Sequence, residues 1–222
     1  MISVLLATYN DEKYIKSAIE SVLSQTYADF EFLIGFNGTI DKSKEIASSF
    51  VDGRIKIFDY GMEKGKSKTL NRLLKESSGS HVAIQDGDDV WMKRKLEFQV
   101  KHLNEYDVVG TYINYINSFD DITGAPILVS SHEDILSKFS VSDNNIANTS
   151  AIVCKKKLQQ VGAWNETITG IEDFDLWIKL MNAGCKFYNV PKVLVWHRLH
   201  SESNFNTKTW DFNNITKLKL NG

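Results

Sequence analysis

The first half of the chain alternates short apolar runs with segments of helical periodicity. Residues 2–7 form an apolar run, and after Asp11 the apolar residues recur at the spacing of one helix face, at Ile15, Ala18, Ile19, Val22 and Leu23. This alternation is typical of an α/β domain with a largely parallel sheet, because each helix packs its apolar face on the strands. We predict strands over residues 2–7, 30–36, 55–58 and 81–85. The first predicted helix follows Asp11 and ends near residue 25, and three more span residues 41–50, 66–77 and 92–104.

The second half of the chain is less regular. Strands near residues 108–113, 127–130 and 150–154 and a helix over about residues 173–183 predict a region of mixed strands. From residue 203 the sequence is rich in Asn and Thr and has no clear periodicity. We therefore predict one domain over residues 1–202, with halves at residues 1–105 and 106–202, and a C-terminal tail over residues 203–222.

Charge and hydrophobicity exclude several classes of protein. The chain carries 26 Lys+Arg against 28 Asp+Glu, so we expect no nucleic-acid partner. No basic segment precedes the first apolar run, and no apolar run approaches the roughly 18 residues of a membrane span. We expect a cytoplasmic protein without a signal peptide, at most peripheral to a membrane.

Polar residues follow three of the predicted strands at the point where each strand ends. These strand-end segments, which we call the first, second and third tips, are residues 8–11 (TYND), 37–39 (NGT) and 86–89 (DGDD). In an open α/β sheet, ligands bind outside the carboxyl ends of the strands. The three tips are therefore the predicted ligand site.

The third tip places three carboxylates within four residues, at Asp86, Asp88 and Asp89. Such a cluster repels itself unless a cation or a basic group neutralises it. Mg²⁺ or Mn²⁺ is typically held by one or two carboxylates together with phosphate oxygens, which suits a diphosphate-bearing substrate. The alternative is a turn whose carboxylates are solvated, since turns favour Asp and Gly.

Two phosphate-binding motifs are disfavoured. The segment GMEKGKS at residues 61–67 ends like a P-loop, but its glycines enclose three residues where the motif needs four. No GxGxxG follows the first strand, which disfavours a dinucleotide-binding domain.

Asp173 begins a predicted helix and shares the face of its apolar residues. A carboxylate at a helix N-terminus can simply be a cap that the helix dipole stabilises. The preceding loop is long and contains Gly170, so the helix start can also line a cleft, where a general base would be needed.

These segments together resemble glycosyltransferase family 2, from residue 2 to about residue 203. The resemblance is carried by ISVLLATYN at residues 2–10, GKSKTLN at 65–71, QDGDD at 85–89, VGAWNE at 161–166 and EDFDLW at 172–177. It implies the GT-A fold, a Rossmann-like, mainly parallel sheet flanked by helices, with a smaller mixed acceptor-side region. Residues 1–105 would be the nucleotide-sugar-binding half and residues 106–202 the acceptor-binding half.

The resemblance also implies an inverting sugar transfer of the bacterial polysaccharide type and assigns roles to residues. Asp173 would be the catalytic base that deprotonates the acceptor hydroxyl. Mn²⁺ or Mg²⁺ would be bound chiefly by Asp88, with Asp86 and His200 completing the site. The donor-binding residues would be Thr8, Tyr9, Asn10, Asn37, Lys66, Lys68, Asn71, Asp86, Gly87 and Arg198.

The chain departs from the family pattern at the second tip, where Phe36 and Asn37 replace a common acidic pair. Asn37 can still hydrogen-bond a base edge, because its amide is both donor and acceptor. A UDP-sugar is therefore the expected donor. Leu70 stands where family members have a basic residue, so a phosphate contact from this region would come from Lys66 or Lys68.

The expected acceptor is a glycan or a lipid-linked saccharide. Trp210, Phe212 and Lys217 in the tail suggest peripheral membrane contact. Two alternatives remain open at this point: a non-catalytic nucleotide-sugar-binding module, and a nucleotidyltransferase that makes the activated sugar.

Overall fold

Four parallel strands form one side of a mixed sheet in this computed structural model, which describes residues 1–62 and 65–201. The strands β1 (Ile2–Thr8), β2 (Phe30–Phe36), β3 (Ile55–Asp59) and β4 (His81–Gln85) lie in the order β3-β2-β1-β4. They are connected by the helices α1 (Ile15–Leu23), α2 (Ser43–Ser48) and α3 (Lys66–Glu76). The predicted α/β alternation of this half is confirmed.

Successive side chains of β1 face opposite sides of the sheet, as strand geometry requires. Leu5 packs in one core layer with Leu33 of β2 and Leu73 of α3. Val4 lies in the other layer, which also holds Ile19 of α1. Because both faces are covered by helices, these strands consist mainly of buried apolar residues.

The rest of the sheet is built from residues 90–198, most of which belong to the second half of the chain. It contains β5 (Val90–Trp91), α4 (Lys95–Gln99), β6 (Val108–Ile116), β7 (Ile122–Gly124), α5 (His132–Ser140), β8 (Ile152–Cys154), α6 (Lys155–Gln160), α7 (Glu172–Asn182) and β9 (Phe187–Arg198). The sheet order continues as β4-β8-β6-β9-β5, with β7 paired to β6. Strand β8 is antiparallel to both β4 and β6, whereas β9 is parallel to β6. Mixed strands in this half are therefore confirmed.

The sheet is continuous across the predicted boundary between residues 105 and 106, because β8 pairs with β4. The division into a donor half and an acceptor half stays a prediction. The predicted tail at residues 203–222 lies outside the described residues. Within the described part of the chain, the structure contains no helix with the length and apolar character of a membrane span.

The helix predicted over residues 92–104 is shorter in the structure. It comprises α4 and a 3₁₀ turn at Val100–His102. The Met92 N–H donates to the Leu194 carbonyl of β9 at 2.9 Å, and the Lys93 carbonyl accepts from Thr26 N–H at 2.9 Å. These backbone groups are bound to other segments, so the helix begins only at Lys95.

The strand predicted over residues 127–130 is wrong, because asparagine side chains hold this extended segment without a strand ladder. Val129 N–H donates to the Asn145 side chain at 2.7 Å, and the Val129 carbonyl accepts from the Asn189 amide at 2.8 Å. The segment is thus fixed by these side-chain hydrogen bonds and by the Asn189 N–H of β9, which donates to the Ser130 carbonyl at 3.1 Å.

Sequence patterns missed β9, the longest strand of the second half. Pro191 and its polar neighbours interrupt the apolar alternation. In the structure the register shifts there, since Thr111 pairs with Val190 and Tyr112 pairs with Val193. A proline is tolerated inside a sheet at such an irregularity, because no ladder hydrogen bond is required of it.

Glu31 of β2 is a buried carboxylate whose charge should stabilise the fold. Its Oε1 accepts from the Ser3 hydroxyl at 2.6 Å and from the Ser78 N–H at 2.6 Å, and its Oε2 lies 2.8 Å from Lys56 Nζ. Burial alone would raise the pKa of Glu31, but these partners outweigh it and lower the pKa from 4.5 to about 2.

We expect Glu31→Gln to lower the free energy of unfolding at pH 7 by about 1–3 kcal/mol, because it leaves buried donors poorly paired. The ionised form is favoured in the folded state, so the stabilisation is complete above pH 4.5 and is lost as the pH falls toward about 2. Urea unfolding at pH 7 and pH 3.5 measures it. Glu20→Gln, at an exposed position, is the control. The prediction would be contradicted if the difference in free energy of unfolding between the wild type and Glu31→Gln were as large at pH 3.5 as at pH 7.

Candidate functional site

A large cleft lies at the carboxyl ends of β1, β2 and β4. Its volume is about 1810 Å³, and its lining includes residues of all three tips and of the second half of the chain. A drug-sized ligand occupies a pocket of roughly 300–1,000 Å³, so this cleft has room for two substrates. The cleft therefore lies at the three tips, where the sequence predicts the ligand site.

The first tip brings Thr8, Tyr9 and Asn10 to the cleft. Asn10 has a left-handed backbone with φ 58°, and its Oδ1 accepts from the Ile40 N–H at 2.9 Å. Tyr9 is 42% exposed. Tyr9 is therefore partly exposed at the cleft.

Asp11 also lines the cleft, although it was not among the predicted binding residues. Its Oδ2 accepts from the Thr8 hydroxyl at 2.7 Å. Burial and the nearby Asp88 carboxylate raise the pKa of Asp11 to about 7, against the lowering effect of the Thr8 and Tyr9 donors. The raised pKa of Asp11 thus reflects its burial and the negative charge of its neighbours.

The second tip contributes Asn37, which is only 4% exposed. Its Oδ1 has no hydrogen-bond partner among residues 1–62 and 65–201. Gly38 follows with φ 74°, a left-handed conformation that glycine adopts without strain. A buried acceptor without a partner is costly, so a ligand N–H at this point would be stabilising.

Helix α3 supplies two of the lysines that line the cleft. Lys66 and Lys68 both line it, and Lys66 Nζ forms an ion pair with Asp86 Oδ1 at 2.6 Å. Burial opposes the charge of Lys66, but Asp86, Glu172 and Asp173 outweigh it and raise the pKa of this lysine. Lys66 therefore remains a cation between carboxylates of both halves.

Asn71 of α3 is not among the described residues that line the cleft. Its amide donates to the Trp164 carbonyl at 2.9 Å and to Glu166 Oε1 at 2.9 Å, and its Oδ1 accepts from the Trp164 N–H at 3.1 Å. Asn71 thus holds the loop that contains the predicted VGAWNE motif.

The third tip places Asp86, Gly87 and Asp88 in the cleft. Asp86 accepts hydrogen bonds from the Asn148 amide at 3.2 and 3.3 Å in addition to its ion pair with Lys66. A Cβ at position 87 would collide with the carboxylate of Asp11, so any side chain there would require that carboxylate to move. This close approach packs the third tip against the first.

Asp88 is paired with the predicted histidine. Its Oδ2 lies 3.1 Å from His200 Nε2, and both residues line the cleft. Burial alone would raise the pKa of Asp88, but the hydrogen bond with His200 and the charges of His197, His200 and Lys66 outweigh it and lower that pKa. Asp88 is therefore held as a carboxylate.

Asp89 and Arg198 lie behind this pair. Asp89 is fully buried, and it accepts from the Arg198 N–H at 2.8 Å and contacts His197 Nδ1 at 3.0 Å. The Arg198 guanidinium donates to the carbonyls of Asp88 and Asn117 at 2.8 and 2.7 Å. Arg198 is not among the described cleft-lining residues, so in this arrangement it supports Asp88 from behind.

Asp173 lies at the start of α7 and lines the same cleft. Its Oδ1 accepts from the Phe174 N–H at 2.8 Å, and its Oδ2 accepts from the Asn144 amide at 3.0 Å. Burial and the Glu172 carboxylate raise the pKa of Asp173 to about 6, although Lys66 and the two hydrogen-bond donors lower it. A carboxylate with such a pKa can accept a proton near neutral pH.

Sequence analysis missed several polar residues that the structure brings to this cleft, among them Asp11, Asn144, Asn148 and His197. Asp11 belonged to the first tip, so the pattern could have found it. The asparagines lie in a loop without periodicity, and His197 lies in the unpredicted strand β9. Nothing local to their sequence indicated a role.

The donor set fits Mn²⁺ or Mg²⁺ only when a ligand supplies further oxygens. Asp88 and His200 present one carboxylate and one imidazole side by side, whereas Asp86 already binds Lys66. Among the residues that the structure describes, no three His, Cys, Asp or Glu side chains form a metal site. Such cations are commonly bound by one or two protein groups together with substrate phosphates.

Comparison with solved structures shows the fold. TarS 1–349 of S. aureus in complex with UDP-GlcNAc superposes with a TM-score of 0.78 at 18% identity, covering 94% of this chain and 61% of that one. The mannosyltransferase PcManGT of Pyrobaculum calidifontis, in complex with GDP-Man and Mn²⁺, gives 0.69 at 19% identity, covering 91% and 58%. This chain thus spans about 60% of the length of these solved chains, and the predicted GT-A fold is confirmed.

Comparison of sequences shows the family. The chain is 30% identical over 206 residues to the UDP-Glc:alpha-D-GlcNAc-diphosphoundecaprenol beta-1,3-glucosyltransferase WfaP of Escherichia coli, covering 91% of this chain and 79% of WfaP. The family model described as Glycosyl transferase family 2 matches residues 3–162, which is more than half of the chain. The chain therefore belongs to glycosyl transferase family 2.

Proposed function

We propose that this glycosyltransferase moves a sugar from a nucleoside diphosphate sugar to an acceptor hydroxyl, with inversion at the anomeric carbon. The observation that carries the proposal is one cleft lined by Asp86 and Asp88 at a strand end and by Asp173 at a helix start. The first two suit a diphosphate with its cation, and the third suits a proton acceptor. The expected product is part of a cell-surface polysaccharide or glycolipid.

A UDP-sugar is the proposed donor. The Asn37 Oδ1 has no partner among the described residues, and it can accept a hydrogen bond from an N–H of the base. Thr8, Tyr9 and Asn10 would flank the base and ribose from the neighbouring tip. Names of similar proteins support this choice in part, since WfaP is named for UDP-Glc and TarS was solved with UDP-GlcNAc, whereas PcManGT was solved with GDP-Man.

Asp88 and His200, with Asp86 near them, would hold Mn²⁺ or Mg²⁺ against the donor diphosphate. When bound, this cation supplies Lewis-acid stabilisation of the charge on the leaving group. Lys68 lies in the same cleft as a further cation for the phosphates. Lys66 would orient Asp86 through their ion pair.

The transfer is a single displacement. The acceptor oxygen forms a bond to the anomeric carbon while the bond from that carbon to the diphosphate oxygen breaks, and its electron pair leaves with the diphosphate. The acceptor proton passes to a carboxylate oxygen of Asp173. One displacement inverts the anomeric centre, and no covalent enzyme intermediate is needed.

The proposed acceptor is a glycan or a lipid-linked saccharide reached at the cytoplasmic face of the membrane. WfaP is named for a diphosphoundecaprenol-linked acceptor. Trp210, Phe212 and Lys217, which lie outside the described residues, would supply the membrane contact. Aromatic and basic side chains together favour an anionic lipid surface.

Nucleoside diphosphates should stabilise the protein in a manner that identifies the donor base. A ligand at a hundred times its Kd adds about 2.7 kcal/mol, which raises the Tm by roughly 5–10 °C for a chain of this size. We expect this shift with UDP and Mn²⁺, and its loss in Asp88→Ala. Thermal unfolding with a panel of nucleoside diphosphates, with and without Mn²⁺, measures it.

Glu133→Gln, which removes an exposed carboxylate of α5, is the matched control and should keep the shift. A shift with another nucleotide alone would overturn the UDP assignment. No shift with any nucleotide would favour a module that keeps the fold without the donor site.

Asp173→Asn should lower the transfer rate by about 10²- to 10⁴-fold and leave the nucleotide-induced Tm shift unchanged, because only proton acceptance is lost. In the wild type, kcat/KM should fall as the pH drops below about 6, since protonated Asp173 cannot act as a base. Both effects are measured by chromatography of the glycoside product. The donor in this assay is a nucleotide-sugar with the base that the thermal unfolding experiment identifies.

Asp143→Asn, at an exposed position of the same cleft, is the control and should retain activity. Loss of nucleotide binding in Asp173→Asn would assign that residue a structural role. Formation of a nucleotide-sugar and pyrophosphate in place of a glycoside would identify a nucleotidyltransferase.

The full chain should float with vesicles that contain anionic phospholipid. Replacing both Trp210 and Phe212 by Ser should reduce the floated fraction, because buried aromatic area drives interfacial binding. Thr207→Ser is the control in the same segment. Equal flotation of the double variant and the wild type would contradict a membrane role for these aromatic residues.

A further inference from the structure

The loop between α5 and β8 carries two asparagines that each donate to a carboxylate of the cleft. Asn144 donates to Asp173 Oδ2 at 3.0 Å. Asn148 donates to Asp86 at 3.2 and 3.3 Å. One loop of the second half thus contacts both the proposed base and the strand-end carboxylate.

This loop is anchored directly after Asn144. The neighbouring Asn145 is 1% exposed, and its Oδ1 accepts from Val129 N–H at 2.7 Å. The Ile146 carbonyl accepts from the Trp177 indole N–H of α7 at 3.1 Å. Because α7 also carries Asp173, the loop and the proposed base are held by the same helix.

The orientation of the Asn144 amide follows from its two contacts. Its Oδ1 accepts from the Ile146 N–H at 3.3 Å, while its Nδ2 donates to Asp173. The reverse orientation would place the amide oxygen against a carboxylate oxygen. Both atoms are hydrogen-bond acceptors, so no hydrogen bond could form between them. The contact therefore requires an N–H at this position.

Asp173 has few other stabilising partners. Its own helix contributes the Phe174 N–H, which donates to Oδ1, and also Glu172, whose negative charge disfavours ionisation. Helix α3 contributes Lys66, whose ammonium forms its ion pair with Asp86. Asn144 is the donor that binds the second carboxylate oxygen, Oδ2.

We propose that Asn144 is a positioning residue for the sugar transfer, which holds Asp173 Oδ2 in place and keeps this carboxylate ionised at the pH of the reaction. This inference rests on the proposed function, in which Asp173 accepts the acceptor proton. A hydrogen bond to the charged form of a carboxylate favours that form. It also restricts rotation of the carboxylate, so the second lone pair of Oδ2 stays directed for the acceptor hydroxyl.

Substitutions at position 144 separate hydrogen bonding from shape. Asn144→Leu has a similar size without a donor, Asn144→Asp adds a negative charge, and Asn144→Gln keeps the amide on a longer side chain. We expect Asp173 to titrate about one pH unit higher in Asn144→Leu. The shift should be larger in Asn144→Asp and smaller in Asn144→Gln.

Carbon-13 NMR of labelled aspartate carboxyl groups in the full chain measures this titration without a substrate, with Asp173→Asn used to assign the signal. Asp143→Asn removes a neighbouring charge in the same loop and should not raise the titration of Asp173. An Asn144→Leu protein that titrates like the wild type would overturn the inference, because the hydrogen bond would then have no effect.

The pH dependence of transfer provides the second measurement. In Asn144→Leu the acidic limb of kcat/KM should move upward with the NMR titration, while the nucleotide-induced Tm shift stays at the wild-type value. An unmoved limb despite a shifted titration would also overturn the positioning role. If Asp173→Asn retained full transfer, the base assignment of the proposed function would fail instead. The NMR titration does not depend on transfer, so it distinguishes this failure from a failure of the Asn144 inference.

Discussion

The buried carboxylate of Asp89 connects the parallel half of the sheet to its last strand. It follows β4 at the third tip, yet its hydrogen-bond partners, His197 and the N–H of Arg198, lie at the end of β9. A buried carboxyl group without hydrogen-bond partners costs free energy, so the end of β9 must lie against this tip. His200 follows two residues later and thereby reaches Asp88. The proposed cation site depends on this connection.

Arg198 strengthens the same junction. Its guanidinium donates to the Asp88 carbonyl and to the Asn117 carbonyl, and it forms an ion pair with Asp120 at 2.6 Å. It also lies 4.5 Å from the centre of the Tyr14 ring. One buried cation thus joins the third tip to the hairpin of β6 and β7. Its influence on a ligand passes through the backbone of Asp88.

The cleft contains two carboxyl groups whose pKa values are shifted in opposite directions. Asp88 has a lowered pKa because His200, His197 and Lys66 outweigh its burial. Asp173 has a pKa raised to about 6 because burial and Glu172 outweigh Lys66, Phe174 and Asn144. Different environments give the same side chain different roles, which is the general means by which acid and base functions are separated in one site. Here each environment combines Lys66 of the first half with residues of the second half.

The sequence by itself determined the α/β alternation of residues 1–85, the three polar tips and the start of the helix that carries Asp173. These features depend on spacing within a few residues, because periodicity and turn chemistry are local. It also singled out Asp88 and His200 as candidate metal ligands, which the family resemblance alone linked and whose metal role stays a prediction. Strand β9, the extended segment at residues 127–130 and the asparagines of the α5–β8 loop had no local pattern.

Only the tertiary structure decided which polar groups meet. Asn144 reaches Asp173 across 29 residues, Asn148 reaches Asp86 across 62, and His200 reaches Asp88 across 112. In the tertiary structure Asn71 donates to the Trp164 carbonyl, and Arg198 donates to the Asp88 carbonyl of the third tip. Such pairings follow from strand register and burial, since a buried polar group must find a partner wherever the fold brings one. No spacing along the chain contains that information.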